Sequence, residues 1–172
     1  MSDTLVLIES ATASSDSAIT LNPLDSTYDV YKVVLSNVIP ETDNVKLRMR
    51  FAISTGDKTT SGYDYVHKII KTYSTFGEDS AINQTSFALT EQELGTNTGE
   101  VGNAVIYLFN TQNSSEYSNY TIESVCLDDN GNMFGNQGGG WYTETEQHVA
   151  VSFYMASGNI ASGEFKLYGI VK

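Results

Sequence analysis

The stretch Asn44–Ser54 reads Asn-Val-Lys-Leu-Arg-Met-Arg-Phe-Ala-Ile-Ser, and it decides the fold class. Its large apolar residues occupy every second position, with Lys46, Arg48 and Arg50 between them. Successive side chains of a strand point to opposite faces, so this run predicts a strand with one apolar face and one solvated face. At helical spacing the same apolar residues would be scattered around the whole helix. The stretch therefore predicts half-buried antiparallel strands.

Similar strand patterns recur along the chain without a convincing helix between them. The predicted strands lie near residues 4–9, 18–22, 28–37, 44–54, 63–71, 85–89, 103–110, 118–127, 147–155 and 163–171. The breaks between them are rich in Asn, Asp and Gly, and Asn130-Gly131 is a typical hairpin turn. Residues 89–95 have the spacing of a capping box and predict at most one short helix. We expect an all-β protein, a jelly-roll-like antiparallel β-sandwich of about eight to ten strands, with residues 1–172 forming a single domain.

Composition restricts the partners that the protein can bind. Nine basic residues against 21 acidic residues give a formal net charge of −12. Lys and Arg side chains are what phosphate groups and anionic lipids bind, so we expect no nucleic-acid partner and no anionic membrane partner. No apolar run approaches the roughly 20 residues of a membrane span, so no membrane insertion is predicted. The N-terminal residues lack the basic region of a secretory signal, which predicts a soluble product made in the cytoplasm.

The residues that carry catalytic chemistry are few and isolated. His67 and His148 both lie in strand-like contexts, and no G-x-S-x-G elbow is present. Cys126 is predicted to be a small buried hydrophobic residue, not a reactive thiol. Residues 128–132 place oxygen ligands at alternate positions, but they lack the later glycine and glutamate of a calcium loop, so a hairpin turn is favoured. We predict no catalytic residue, no metal and no cofactor, and an acidic-pair glycosidase is the least favoured reading because no two carboxylates stand out.

The remaining candidate for function is the run Gly138-Gly-Gly-Trp-Tyr142, which contains the single Trp of the chain. A flexible glycine-rich loop at residues 135–140 would present Trp141 and Tyr142 at an edge of the sandwich. There the two rings could stack on a sugar or pack against a neighbouring subunit. The favoured interpretation, however, is that Trp141 is a core residue that enters the next strand after the loop.

Two regions of the chain resemble a known family. They comprise residues 7–16, 28–40, 42–44, 47–50 and 157–170, with smaller matches at 61–65 and 102–104. These stretches are similar to small virion-associated structural proteins of tailed bacteriophages, common among marine and cyanobacterial phages and described as tail-fibre-like. Residues 72–98 and 111–147 do not share the pattern. The family has no catalytic motif, so the resemblance implies a structural role in the virion.

Several functions follow as expectations from the residues and the resemblance together. The leading one is a non-enzymatic virion protein, made in the bacterial host, that forms a homo-oligomer in a tail fibre or tail appendage and contacts the host surface. A trimer is favoured because fibres and capsid three-fold axes assemble in this way. Its partners would be further copies of itself, other phage virion proteins and a host-surface glycan. The alternatives are a capsid decoration protein of the same virion and a carbohydrate-binding jelly roll that uses Trp141 and Tyr142.

Overall fold

A computed structural model describes residues 4–171, which form thirteen β-strands and no helix. The strands are β1 (Leu5–Asp16), β2 (Ile19–Leu21), β3 (Val30–Pro40), β4 (Leu47–Ile53), β5 (Gly56–Asp57), β6 (Tyr63–Lys71), β7 (Gly77–Gln84), β8 (Phe87–Ala88), β9 (Gly102–Phe109), β10 (Ser118–Leu127), β11 (Met133–Tyr142), β12 (Ala150–Met155) and β13 (Ile160–Ile170). All strand pairs are antiparallel. The predicted all-β sandwich is therefore confirmed.

The alternation in β4 has the predicted consequence. Leu47, Met49 and Phe51 are buried in the core, whereas Arg48 and Arg50 point to the other face. The Arg50 guanidinium lies 4.6 Å from the centre of the Tyr154 ring, and its Nε donates a hydrogen bond to the Thr85 carbonyl at 2.9 Å. The positive charges of this stretch thus stabilise the outer surface of the strand and do not form a binding patch.

The strand order is that of a jelly roll with additional strands. One sheet has eight strands in the order β1-β13-β3-β9-β10-β11-β6-β7, and the other has the order β2-β12-β4-β5, with β8 also paired to β4. Without β6, β7, β8, β10 and β11, eight strands remain, and they can be counted from one to eight along the chain. In that count their order is 1-8-3-6 in one sheet and 2-7-4-5 in the other. This is the arrangement of two interlocked Greek keys. We call these eight strands the frame, and β10, β11, β6 and β7 the extension.

The extension widens one sheet beyond the width of the sheet that faces it. Its inner face is covered by the segment around β8, where Phe87, Leu89 and Leu94 are all buried. Residues 89–95 do not form the short helix that their capping-box spacing allowed. The Thr90 hydroxyl instead accepts a hydrogen bond from the Leu47 amide at 3.0 Å, and Leu94 forms isolated β-bridges to Val45 and Asp128. Pairing with two neighbouring segments therefore prevails over the local helical signal.

The structure has thirteen strands instead of the predicted eight to ten, because the sequences of β5, β7 and β11 show no clear alternation of apolar and polar residues. Gly56–Asp57 forms β5 within a predicted turn, and Gly77–Gln84 forms β7, which is exposed on most of both faces. The prediction of a flexible glycine-rich loop at residues 135–140 was wrong, because these residues belong to β11 in the interior of the eight-stranded sheet. Glycines carry no side chain, so an alternation of buried and exposed positions cannot appear in their sequence.

One buried cluster spans both sheets, and it is rich in aromatic rings. Phe51, Phe87, Tyr63, Tyr120 and Tyr142 are all less than 2% exposed. Their rings contact one another edge-on or tilted, with Tyr63 and Tyr142 centred 4.6 Å apart. Such pairs contribute roughly 0.5–1.5 kcal/mol each beyond the burial of their area. This cluster fixes the inner face of the extension and leaves its outer face to solvent.

Candidate functional site

The glycine run of β11 lies between two strands that hold it on both sides. Gly138, Gly139 and Gly140 pair with Ile122, Thr121 and Tyr120 of β10 and with His67, Val66 and Tyr65 of β6. A Cβ on Gly138 would lie 2.2 Å from the Val66 carbonyl oxygen, and one on Gly139 would lie 2.2 Å from the Tyr120 carbonyl oxygen. Neighbouring main chains therefore approach too closely for any side chain. The run is a rigid, closely packed part of the sheet.

Trp141 and Tyr142 follow the glycines on the same strand and so point in opposite directions. Trp141 is 54% exposed on the outer face, where it stands in register between Asn119 and Asp64. Tyr142 is fully buried, and its hydroxyl lies 3.1 Å from the Thr60 hydroxyl. Of the two predicted surface contacts, Trp141 alone is available to a ligand or a neighbouring molecule. The favoured interpretation, that Trp141 belongs to the core, was wrong.

A shallow groove of about 580 Å³ lies beside Trp141 on the outer face of the extension. Trp141, Asp64, Val66, Thr121, Ser80 and Ile82 are among the residues that line it, and Gly138–Gly140 form its floor. Val66 is 61% exposed and Ile82 is 70% exposed, so the walls are mainly apolar. This volume is within the range of roughly 300–1,000 Å³ that is typical of small-molecule sites. We call this feature the Trp141 groove.

The polar groups of the Trp141 groove are few and neutral except for one carboxylate. Asp64 Oδ1 accepts a hydrogen bond from the Asn83 amide at 2.6 Å, which fixes the orientation of the side chain. The hydroxyls of Thr121 and Ser80 have no hydrogen-bond partner within residues 4–171. The groove thus offers an aromatic face, a floor without side chains and a small set of donors and acceptors that are not used within the fold.

His148 lies in a second polar cluster, which resembles a catalytic triad in composition. Its Nδ1 is 2.8 Å from the Ser118 hydroxyl, and its Nε2 is 3.5 Å from a carboxylate oxygen of Glu146. Glu146 also pairs with Lys58 at 3.0 Å. Ser118 and His148 are both fully buried, and the imidazole stacks on Phe51 at 4.6 Å. Burial lowers the pKa of His148 to about 4. No substrate can reach the Ser118 hydroxyl in this arrangement, so the cluster is structural.

His67 lies on β6 beneath the groove and is also buried. Its Nε2 is 2.9 Å from the Tyr120 hydroxyl, and its ring stacks on Tyr65 with centres 5.4 Å apart. Burial lowers the pKa of His67 to about 4 and raises that of Tyr120. His67 is a strand residue, as predicted, whereas the prediction was wrong for His148, which lies two residues before β12. Because of their lowered pKa values, both histidines are neutral at pH 7.

In the turn at residues 128–132, the carboxylate of Asp128 forms hydrogen bonds with other residues of the same turn. Asp128 Oδ1 accepts hydrogen bonds from the amides of Asn130 and Asn132 at 3.0 and 2.8 Å, and Gly131 has a φ of +72°. The hairpin turn predicted from Asn130-Gly131 is confirmed, because this turn joins β10 to β11. Residues 4–171 contain no group of three or more His, Cys, Asp or Glu side chains placed to hold a metal ion. The same residues include no helix with the length and apolarity needed to cross a membrane.

Sequence reasoning located Trp141 but missed the residues that surround it. Asp64, Thr121 and Ser80 come from three further strands, and only the register of the sheet brings them beside the indole. A weak signal was available: Phe134, Asn136 and Tyr142 keep a period of two across the glycines, and all three are buried. That period would have placed Trp141 on the outer face and Tyr142 on the inner face.

The chain was compared with protein-family models, with curated proteins and with solved structures, and none of these matches it.

Proposed function

We propose that the protein is a non-enzymatic structural component of a tailed-bacteriophage virion. In this proposal it forms a homo-oligomeric β-sandwich in a tail fibre or tail appendage and contacts the host surface. The observation that carries the proposal is an exposed apolar surface on the outer face of the frame.

This surface follows two rows of cross-strand neighbours in the eight-stranded sheet. The first row is Leu5, Ile170, Val30 and Phe109, and the second is Leu7, Tyr168, Lys32 and Tyr107. We call these eight residues the apolar face. Leu5 is 39% exposed and Leu7 is 53% exposed, and the other six residues of the apolar face are half-buried. The outer face of an antiparallel sheet is normally polar, and a contiguous apolar patch on it is typical of a surface that binds another protein.

A second copy of the chain is the partner that we assign to the apolar face. Closed homo-oligomers bury the same patch of every copy, and a three-fold assembly is the arrangement favoured for a fibre. The single cation within the apolar face, Lys32, lies 5.8 Å over the Tyr107 ring, so the patch presents little net charge to another copy. The formal net charge of −12 over the whole chain disfavours contacts between copies beyond this patch.

The distribution of the family resemblance also supports the proposal. The stretches that resemble virion proteins contain most of β1, β3 and β13, which are frame strands. The stretches without resemblance, 72–98 and 111–147, contain β7, β10 and β11 of the extension. A common frame that assembles, with a variable surface beside it, suits a particle component that presents different contacts to different hosts.

Sedimentation equilibrium at micromolar concentrations tests the assembly. We expect the native protein to be an oligomer and Leu7→Glu to be a folded monomer, because a carboxylate within the interface is desolvated without a partner. Val149→Glu is the matched control, since Val149 is 38% exposed but lies outside both sheets. A monomeric native protein would contradict the proposed interface.

Imaging of purified particles with a labelled antibody tests the location. A tail role predicts a low copy number, and loss of the protein would abolish adsorption without destabilising the head. A capsid decoration protein would be present at a copy number comparable to that of the shell subunits, and its loss would weaken the capsid. Absence of the chain from purified particles would overturn the virion assignment.

A further inference from the structure

The outer face of the extension has a geometry that the apolar face of the frame does not have. Along β11 the outward positions alternate between long and absent side chains: Gln137, Gly139 and Trp141. Neighbours on one face of a strand are about 6.6 Å apart, and adjacent strands are about 4.8 Å apart. Gly139 therefore leaves a depression about the size of one six-membered ring directly beside the exposed indole.

This depression is rigid before any ligand arrives. Gly139 is paired on both sides, with Thr121 and with Val66, and the close main-chain approach at the glycines prevents the floor from being filled by a side chain. Trp141 is fixed at its backbone by the same two ladders. A preformed surface loses little conformational entropy on binding, so even a small ligand can be held there.

The chemistry of the walls selects among ligands that could stack on an indole. Asp64 is the one charged side chain among the described residues that line the groove, and the chain carries a net charge of −12. A nucleobase would bring its phosphate into a groove without Lys or Arg, which disfavours nucleic acid. Anionic polysaccharides are disfavoured for the same electrostatic reason. A neutral ligand with one apolar face and a rim of hydroxyl groups matches both the exposed indole and the neutral hydroxyls of Thr121 and Ser80.

We propose that the Trp141 groove binds a neutral glycan, with one pyranose ring stacked on the indole of Trp141 above Gly139. The ring hydroxyls hydrogen-bond to Asp64 and to the Thr121 hydroxyl, and the Ser80 hydroxyl, one strand beyond Val66, binds a neighbouring sugar unit; neither hydroxyl has a partner within the described fold. The apolar C–H face of the sugar covers the exposed indole, and Val66 closes the opposite side. The biological role of this site as a receptor contact rests on the proposed virion function, whereas the binding itself does not.

The single Trp of the chain makes the groove directly observable. Neutral oligomers of glucose, galactose, mannose and N-acetylglucosamine are titrated into the purified full chain, with a polyuronate as the anionic comparison. We expect at least one neutral oligomer to shift the Trp141 emission and to protect it from acrylamide quenching, while the polyuronate does neither. If no neutral oligomer binds at millimolar concentration, or if the polyuronate binds best, the proposal is overturned.

Variants measured by calorimetry separate a built site from adventitious contact. We expect Trp141→Ala to weaken binding by roughly tenfold or more, because the stacking surface is lost. Thr121→Val removes one hydroxyl at nearly constant volume and should weaken binding by roughly threefold to tenfold. Met133→Ala is the matched control, since Met133 is 46% exposed on the same face of β11 but does not line the groove. Binding that survives Trp141→Ala within about twofold would refute the site.

The remaining outcomes are also decisive. A shift of Trp141 emission on concentrating the protein alone would assign the groove to contact between copies and overturn the glycan proposal. If the native protein binds no glycan, the glycan proposal is overturned but the virion assignment is not affected. Retained glycan binding in a chain that is absent from particles would instead identify a carbohydrate-binding module and overturn the virion assignment.

Discussion

Replacing Gly140 with alanine inserts one methyl group at the point where β11, β6 and the aromatic cluster meet. The new Cβ would lie 2.5 Å from the Asp64 carbonyl oxygen, 2.8 Å from the Tyr120 ring and 2.9 Å from the Phe87 ring. The carbonyl is part of the neighbouring strand and cannot turn aside like a flexible side chain. Relief therefore requires β6 and β11 to separate, or two buried rings to leave their packed positions.

The magnitude follows from two opposing effects. Overpacking of this kind costs about 1–3 kcal/mol, and contact with a main-chain atom places Gly140→Ala near the upper end. The lower entropy of alanine in the unfolded chain returns about 0.4–1 kcal/mol. We expect a net loss of about 2 kcal/mol in the free energy of unfolding. For a chain of 172 residues this corresponds to a fall of about 4–8 °C in Tm.

Urea unfolding followed by far-ultraviolet circular dichroism measures this loss, with an unchanged m-value as the condition for comparison. Gly77→Ala is the matched control, because a Cβ on Gly77 would make ordinary contacts of 3.5–3.8 Å with Ile69 and Lys71. Since only the unfolded-chain effect remains at this position, we expect the control to be more stable than the native protein by about 0.4–1 kcal/mol. If Gly140→Ala were as stable as Gly77→Ala, the close packing of β11 would be refuted, and with it the rigid floor of the groove.

Three further predictions concern the buried titratable groups. Burial lowers the pKa of His67 and His148 to about 4, below the ordinary value of 6.5. The free energy of unfolding should therefore be highest above pH 6.5 and should fall as the pH drops towards 4. The slope should reach about 1.4 kcal/mol per pH unit for each histidine, and an unchanged slope in His67→Gln would contradict this account. The pKa of His148 is lowered by burial and also by the charge of Lys58, so Lys58→Met should raise it in an NMR titration, whereas a constant value would exclude the coupling. Burial raises the pKa of Cys126 to about 12, so a thiol reagent at pH 8 should label it only after unfolding in urea, and rapid labelling of the native protein would refute its burial.

The sequence predicted the frame well because its strands are half buried. In β9, in β4 from Leu47 to Phe51 and in β13 from Gly163 to Gly169 every second residue is buried, so the period of two holds along these segments. Cys126 was correctly predicted to be buried, because it continues such a pattern. Such strands can be predicted without knowing which strands they pair with, because the alternation within each sequence shows which face is buried.

The extension could not be predicted in the same way. β7 is exposed on most of both faces, and β11 has glycines where its alternation should appear. What fixes β11 is the close approach of the Val66 and Tyr120 carbonyls, which belong to residues more than ten positions away in sequence from the glycines that they meet. The groove is a property of the register among four strands. Its position follows only when that register is known, whereas the presence of an exposed ring at Trp141 was a reasonable hypothesis from composition.

The pairing of Leu5 with Ile170 places the first and last strands side by side at one margin of the molecule. Trp141 lies five strand positions away, at a distance of about 24 Å across the sheet. A tether, label or carrier joined to either terminus would therefore hold the domain by one corner and leave the indole facing outward at the far side. Immobilisation through the ends is thus compatible with binding measurements at the groove, and so is display of the domain on a larger assembly.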